Sequence, residues 1–93
     1  MREALGHLRK PPLEYFKMLY VDTALFGCPH AVGSVVEFFG PKQVLFGTDT
    51  PFDTEGGAHF IPATISDIKA AAPDASVRSD IFHGNARRLL AIR

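Results

Sequence analysis

One acidic residue, Asp49, stands directly after a short apolar run in the middle of the sequence. Residues 44–46 read Val-Leu-Phe, which is typical of a buried strand, and a Gly-Thr pair then ends the run. Pro51 prevents further ladder pairing, so the chain must turn away from the sheet there. A carboxylate at the mouth of a buried parallel strand is costly unless a metal ion, a cation or a substrate compensates it. Asp49 is therefore a candidate ligand, and the alternative is a carboxylate that caps its loop by accepting backbone N–H bonds.

The four histidines do not form a local metal clamp with one another. They stand at positions 7, 30, 59 and 83, and no two are separated by two or four residues. A zinc site needs three or more protein ligands, so this sequence cannot supply a complete site from one local motif. His59 alone lies in the loop that follows Asp49, and we interpret it as a surface residue without a function, with a place in an active site formed by such loops as the alternative.

The charge and composition of the chain exclude several classes of protein. Its 93 residues make at most one domain, and its ten basic and ten acidic residues cancel. A neutral chain lacks the electrostatic footprint of a nucleic-acid-binding protein, and we find neither an 18-residue apolar stretch nor a signal peptide. The single cysteine, Cys28, excludes an internal disulfide and suits a reducing cytosol, which predicts a cytoplasmic protein. We interpret Cys28 as a packing residue at a helix start, because no activating partner is evident.

The elements needed to position Asp49 follow from the apolar pattern. Residues 18–22 and 44–47 read as strands whose apolar residues, 19–21 and 44–46, are continuous rather than alternating, which indicates burial on both faces. Between them, apolar residues at helical spacing predict a helix that begins at Pro29 and ends before Gly40. The order strand, helix, strand predicts a βαβ unit, in which 19–22 and 44–47 are adjacent parallel strands with a right-handed crossover.

The two ends of the chain are expected to be helical. Residues 1–10 resemble the end of a helix that Pro11 stops, and 13–16 form a turn or short helix. After a glycine-rich loop, isoleucines at 61, 65 and 68 mark one face of a helix that runs to Pro73. Four further expectations concern the C-terminal region: Ser76 caps a short helix to His83, Gly84 ends it, Asn85 caps the last helix, and that helix packs through Leu89, Leu90 and Ile92.

Three motifs in a fixed order resemble the C-terminal part of the amidohydrolase-related family. They are Tyr20-Val21-Asp22-Thr23, the run Gly47-Thr48-Asp49-Thr50-Pro51-Phe52, and the terminal His83-Gly84-Asn85-Ala86 with the leucines that follow it. The resemblance covers residues 13–92. Members of the family include aminocarboxymuconate-semialdehyde decarboxylase and the resorcylate decarboxylases.

The resemblance implies a fold and an activity. The family consists of (β/α)8 barrels, so the expected fold class is α/β, with residues 1–93 as one partial domain carrying the last βαβα portion, strands seven and eight, of a metal-dependent hydrolase-type TIM barrel. By the same resemblance, Asp49 binds the catalytic divalent metal, usually zinc, and acts as an acid or base, while the other ligands are histidines on earlier strands. The implied reaction is decarboxylation, favoured over hydrolysis, of a small carboxylated substrate that is often aromatic.

Several residues near these motifs keep two interpretations. Asp22 ends the first strand, where a loop-stabilising hydrogen bond is favoured over a metal role. Phe52 and Phe60 bracket the glycine-rich loop and either line an aromatic substrate's pocket or cover the rim of the barrel.

The chain on its own has a second interpretation, as a truncated, non-catalytic fragment or a subunit-pairing module. In that form we expect it to bind no zinc, because Asp49 is one ligand where three or four are needed. We also expect a homo-oligomer, with a symmetric dimer as the simplest form, since a two-stranded sheet leaves both edges unpaired.

Overall fold

The computed structural model describes residues 6–92. The elements follow one another as α1 (Pro12–Phe16), β1 (Val21–Asp22), α2 (Pro29–Phe39), a 3-10 turn (Pro41–Gln43), β2 (Val44–Leu45), α3 (Phe60–Ala71), α4 (Ala75–Ser79), a π-helical turn (Asp80–Gly84) and α5 (Asn85–Leu90). No helix in this part of the chain is long and apolar enough to cross a membrane.

The region before α1 differs from the expected helix over residues 1–10. Residues 1–5 of that prediction lie outside the described part of the chain, whereas 6–10 form a turn and a bend rather than helix. Gly6 weakens helix at this point, and Pro11 disfavours the helical conformation of the residue before it. The helix at Pro12–Phe16 agrees with the short helix expected there.

The two strands are adjacent and parallel, which confirms the predicted βαβ unit. Val21 pairs with Val44 and Asp22 with Leu45, and α2 lies between the two strands in the chain. Each strand has only two residues, shorter than the predicted 19–22 and 44–47. The ladder stops early because the backbone before β1 bonds to a side chain and not to a strand. The Gln43 amide donates to the carbonyl oxygens of Leu19 (3.1 Å) and Met18 (3.3 Å).

Helix α2 has the bounds that the sequence predicts. Pro29 occupies its first turn, where the missing N–H costs nothing, and the helix ends at Phe39. Gly40 follows with φ 84°, a left-handed conformation that favours glycine, and its N–H bonds to the carbonyl oxygen of Val36. The helix packs on α3 and, together with the π-helical turn and α5, covers one face of the sheet at β2.

The buried core lies between the helices and this covered face of the sheet. It consists of Val32, Val44, Ile68, Ala72 and Ile81. The expectation that Leu89, Leu90 and Ile92 form core contacts is wrong, because all three are exposed, Leu90 to 64%. Polar contacts of Asn85 and Arg88 hold α5 instead, and no described residue covers its apolar side.

The caps of the last helices also differ from the sequence prediction. Asp74, not Ser76, caps α4: its carboxylate accepts the N–H groups of Ser76 and Val77. Gly84 does not end a helix, since its backbone is helical (φ −62°) and the chain continues through the π-helical turn into α5. A Cβ at Gly84 would lie 2.6 Å from Asp80 Oδ1, so the glycine serves close packing.

Candidate functional site

Asp49 lies in the loop that leaves the carboxyl end of β2. Its backbone has φ 64°, and its carbonyl oxygen accepts the N–H of Phe52 at 3.1 Å, which closes a tight turn. The side chain is exposed and makes no hydrogen bond within residues 6–92. The proposed loop-capping role is thus not what the carboxylate does here, and its oxygens remain available to a ligand from outside this segment.

The capping role belongs to Asp53, which the sequence analysis missed. Its carboxylate accepts four backbone N–H groups, from Glu55 (2.8 Å), Gly57 (2.8 Å), His59 (3.0 Å) and Phe60 (2.9 Å). The last two donors belong to the first turn of α3, whose N-cap residue His59 offers no side-chain cap. Desolvation acts to raise the pKa of Asp53, but the four N–H donors outweigh it and lower that pKa to about 2.

Thr23 and Gly47 fix the two strand ends relative to each other. Thr23 is buried, its hydroxyl donates to the carbonyl oxygen of Gly47 at 2.8 Å, and the N–H of Gly47 donates back to the same hydroxyl oxygen at 3.1 Å. These two bonds between the Thr23 hydroxyl and the Gly47 backbone continue the ladder where the strands stop. The start of the loop carrying Asp49 is therefore held in register with β1.

Asp22 lies on the uncovered side of the sheet. Successive strand residues point to opposite faces, so Leu45 points away from the core that its neighbour Val44 enters. Asp22 pairs with Leu45 and shares that face, and its side chain lies against Gly47, where an added Cβ would be 3.0 Å from Oδ2. We call this face, defined by Asp22, Leu45 and Gly47, the open face. Asp22 Oδ1 accepts the N–H of Ala24 at 3.0 Å, which confirms the expected loop-stabilising hydrogen bond.

The histidines lie apart from Asp49. His59 Nδ1 is 3.4 Å from Glu55 Oε2, and His83 Nε2 is 3.1 Å from Ser79 Oγ. His30 is exposed in the first turn of α2, and His7 is exposed before α1. Within residues 6–92 no three histidine, cysteine, aspartate or glutamate side chains come close enough to hold a metal ion. This segment offers Asp49 as a single carboxylate and does not form a complete metal site.

The aromatic side chains that bracket the glycine-rich loop have different surroundings. Phe60 is buried at the start of α3, and its ring packs edge-on against Phe26 with 5.7 Å between ring centroids. Phe52 is 78% exposed beside Asp49 in the chain. Of the two, Phe52 is the exposed ring next to the turn at Asp49, and Phe60 belongs to the packing under the loop.

A second acidic residue that the sequence analysis missed is buried behind this loop. Asp67 lies on α3, is 7% exposed, and its Oδ2 has no hydrogen-bond partner within the described residues. Burial raises the pKa of Asp67, and the charge of His59 offsets part of that rise. Its position next to Ile68 on the apolar face of α3 is the only sequence signal for this burial.

Comparison with known proteins agrees with this arrangement of strands. The amidohydrolase family model Amidohydro_2 matches residues 1–92. No curated protein matches the sequence significantly. Among solved structures, the apo form of IDCase from Metarhizium anisopliae is similar, with a TM-score of 0.75 and 22% sequence identity over 97% of this chain and 26% of the IDCase chain.

These matches define both the fold and its extent. IDCase is a TIM-barrel amidohydrolase, and this chain is an α/β unit that spans about a quarter of its length. At 22% identity the likeness shows the fold alone, whereas the family model covers nearly the whole sequence. The chain belongs to the amidohydrolase family.

Proposed function

We propose that this chain is the C-terminal part of a metal-dependent amidohydrolase-type barrel, in which Asp49 supplies a carboxylate to the active site. The observation that carries the proposal is the position of Asp49: an exposed carboxylate without a hydrogen bond to the rest of residues 6–92, at the carboxyl end of a parallel strand. Active sites of TIM barrels are built at this end of the strands.

The proposed role of Asp49 is that of a metal ligand that can also transfer a proton. Carboxylates bind zinc and other divalent ions, and a bound metal lowers the pKa of a coordinated water. The remaining ligands would come from earlier strands of the barrel, with β1 and β2 as its seventh and eighth strands and residues 1–93 as one partial domain. This chain contributes the position of Asp49, which the Thr23–Gly47 pair and the turn at Phe52 fix.

The proposed reaction is decarboxylation, with hydrolysis as the less favoured alternative, of a small carboxylated substrate. Support comes from the family and from the exposed ring of Phe52 near Asp49, which can pack against an aromatic substrate. We place the protein in the cytoplasm because its single cysteine suits a reducing compartment.

A chimeric barrel tests the proposed role. The matched quarter of IDCase is replaced by this chain, and turnover is compared with that of the Asp49→Asn and Glu55→Gln variants of the same chimera. We expect Asp49→Asn to lower kcat by at least about 100-fold, the scale on which a catalytic acid or base contributes. Glu55→Gln, in the same loop, should leave kcat within about twofold. Equal turnover in both variants would contradict the role of Asp49.

A second candidate function, a non-catalytic fragment or subunit-pairing module, is favoured by a different observation. No three potential metal ligands meet within residues 6–92, and both outer edges of the sheet lack a partner strand there. Elemental analysis of the completed barrel separates the two candidates, since the purified chain alone is expected to hold no metal under either. We expect no bound metal for the chain alone and metal only in the completed barrel.

A further inference from the structure

We infer that Phe26 is a specificity-determining residue whose ring packs against the aromatic part of the substrate. Phe26 stands in the loop between β1 and α2, which leaves the carboxyl end of β1 as the loop carrying Asp49 leaves the carboxyl end of β2. Its side chain is 71% exposed. The inference rests on the proposed function, since it places Phe26 in the same active site as Asp49.

The backbone of Phe26 is strained in the same way as that of Asp49. Phe26 has φ 58° and Asp49 has φ 64°, a left-handed conformation that crowds any side chain with a Cβ. A third residue of this kind within residues 6–92, Ala91, stands at the end of α5, where the conformation is a common helix stop. Strain of this kind persists where the surrounding structure holds it, and it is concentrated at active sites and ligand clamps.

Contacts within the loop hold the backbone on both sides of Phe26. The Leu25 N–H donates to the carbonyl oxygen of Thr23 at 2.8 Å. Gly27, with φ 76°, packs so closely on α3 that an added Cβ would lie 3.2 Å from the Cβ of Ala63. A ligand that meets the ring of Phe26 therefore does not have to order the loop, which is a cost that flexible sites incur on binding.

The ring of Phe26 lies over the core-facing side of α3. It packs edge-on against Phe60, with 5.7 Å between ring centroids. Phe60, Thr64 and Ile68 recur at every fourth position of α3 and are all buried, so they share the face of that helix that points into the core. Phe26 thus covers the first turn of this face, at the carboxyl end of the strands, and does not lie on the outside of the helix layer. These positions follow from contacts within residues 6–92.

Two exposed phenyl rings therefore occupy the two neighbouring loops at the carboxyl end of the sheet. Phe26 is 71% exposed on the first loop, and Phe52 is 78% exposed on the second, beside the turn at Asp49. Phenyl rings favour other aromatic rings through stacked or edge-on packing and offer nothing to a carboxylate. Phe26 should therefore raise the affinity for aromatic carboxylates and leave the affinity for aliphatic ones unchanged.

Benzoate and acetate are the probes that test this role, because they share a carboxylate and differ in the ring. Their dissociation constants are measured by ligand-observed NMR on the IDCase chimera that carries this chain. Phe26→Asn removes the ring and keeps a residue that tolerates the left-handed backbone. We expect it to raise the Kd of benzoate roughly three- to tenfold, the scale of an aromatic pair, and to leave that of acetate within about twofold. Phe16→Asn, which removes an exposed ring from α1, should change neither value by more than about twofold.

Three results would overturn the role of Phe26. They are an absence of benzoate binding to the unsubstituted chimera, an unchanged Kd of benzoate in Phe26→Asn, and an equal weakening of benzoate and acetate, which a purely structural role produces. Phe26→Tyr keeps the ring and should retain the benzoate Kd within about twofold, so a loss there as large as in Phe26→Asn would also overturn it. Turnover of Asp49→Asn tests the proposed function separately, because benzoate binding is measured without turnover.

Discussion

The side-chain amide of Asn85 donates a hydrogen bond of 2.8 Å to the backbone carbonyl oxygen of Val44, 41 residues earlier in the chain. The same amide donates to the carbonyl oxygen of Pro41 at 2.7 Å, and its oxygen accepts from Arg88 at 2.7 Å. Asn85 is fully buried. The last helix is thereby attached to the start of β2, the strand that leads to Asp49.

Removing the Asn85 amide should destabilise the chain. Asn85→Ala leaves the buried carbonyl group of Val44 and the partly buried one of Pro41 without their donor, at about 1–3 kcal/mol for each unsatisfied group, so we expect a loss of about 3 kcal/mol. Urea unfolding at fixed chain concentration measures it. Arg88→Ala is the control, since it removes the donor to the Asn85 oxygen and an exposed bond to the Lys42 carbonyl oxygen but keeps both bonds that the Asn85 amide donates, and it should cost about 1 kcal/mol. A loss for Asn85→Ala no larger than that of Arg88→Ala would contradict this role.

The hydrogen bonds of Asp53 should order the loop that follows Asp49, and their contribution to stability should be lost at low pH. The folded pKa of about 2 lies below the ordinary value of 3.8, so the carboxylate contributes stability above the ordinary value. That contribution falls as the pH drops from about 4 through 2. Amide hydrogen exchange of Gly57, His59 and Phe60 should accelerate in Asp53→Ala at neutral pH. Glu55→Ala, at an exposed position of the same loop, is the control and should leave the protection of these amides unchanged. Unchanged protection in Asp53→Ala as well would mean that the four hydrogen bonds do not order the loop.

Asp67 should have the opposite pH dependence. Burial raises its folded pKa above the ordinary value of 3.8. Its favourable contribution is therefore complete below the unfolded pKa and is lost as the pH rises through the folded pKa. Asp67→Asn removes the buried charge, so it should raise the melting temperature at pH 7 and leave it nearly unchanged at pH 3. A lower melting temperature at pH 7 would show that the carboxylate has a partner in solution.

Two glycine substitutions should have opposite effects. A Cβ at Gly47 would lie 3.0–3.1 Å from three atoms of Asp22, so Gly47→Ala must displace that side chain, at about 1–3 kcal/mol. A Cβ at Gly33, within α2, meets nothing within 4 Å. Gly33→Ala should therefore stabilise the chain by about 0.5–1 kcal/mol, because alanine is the better helix former. Urea unfolding of the two variants decides, and equal effects would contradict the contact between Gly47 and Asp22.

Local patterns in the sequence predicted the βαβ unit well. The bounds of α2 follow from Pro29 and Gly40, and the parallel pairing follows from two apolar runs on either side of one helix. The same patterns could not predict the role of Asn85, because its partners lie more than 40 residues away and periodicity carries no information on such contacts. An asparagine before a helical run resembles a cap whether or not it is buried.

The candidate site was predictable only in part. The apolar run before Asp49 identified a strand-end carboxylate, and the structure places it at the carboxyl end of β2. The sequence alone does not show which of Asp49 and Asp53 caps the loop, because both are acids in the same polar loop. Their difference arises from the path of residues 55–60, whose four N–H groups meet at the Asp53 carboxylate.

The most direct test of the central claim, that Asp49 supplies a metal ligand, is the metal content of the IDCase chimera that carries this chain. Elemental analysis after purification and dialysis should find close to one divalent ion per barrel with Asp49 present. The content should fall below about one tenth of that in Asp49→Ala, since the site then lacks one of its protein ligands. Glu55→Ala should retain the metal. Full metal content in the Asp49→Ala chimera, with the protein folded, would contradict the proposed function.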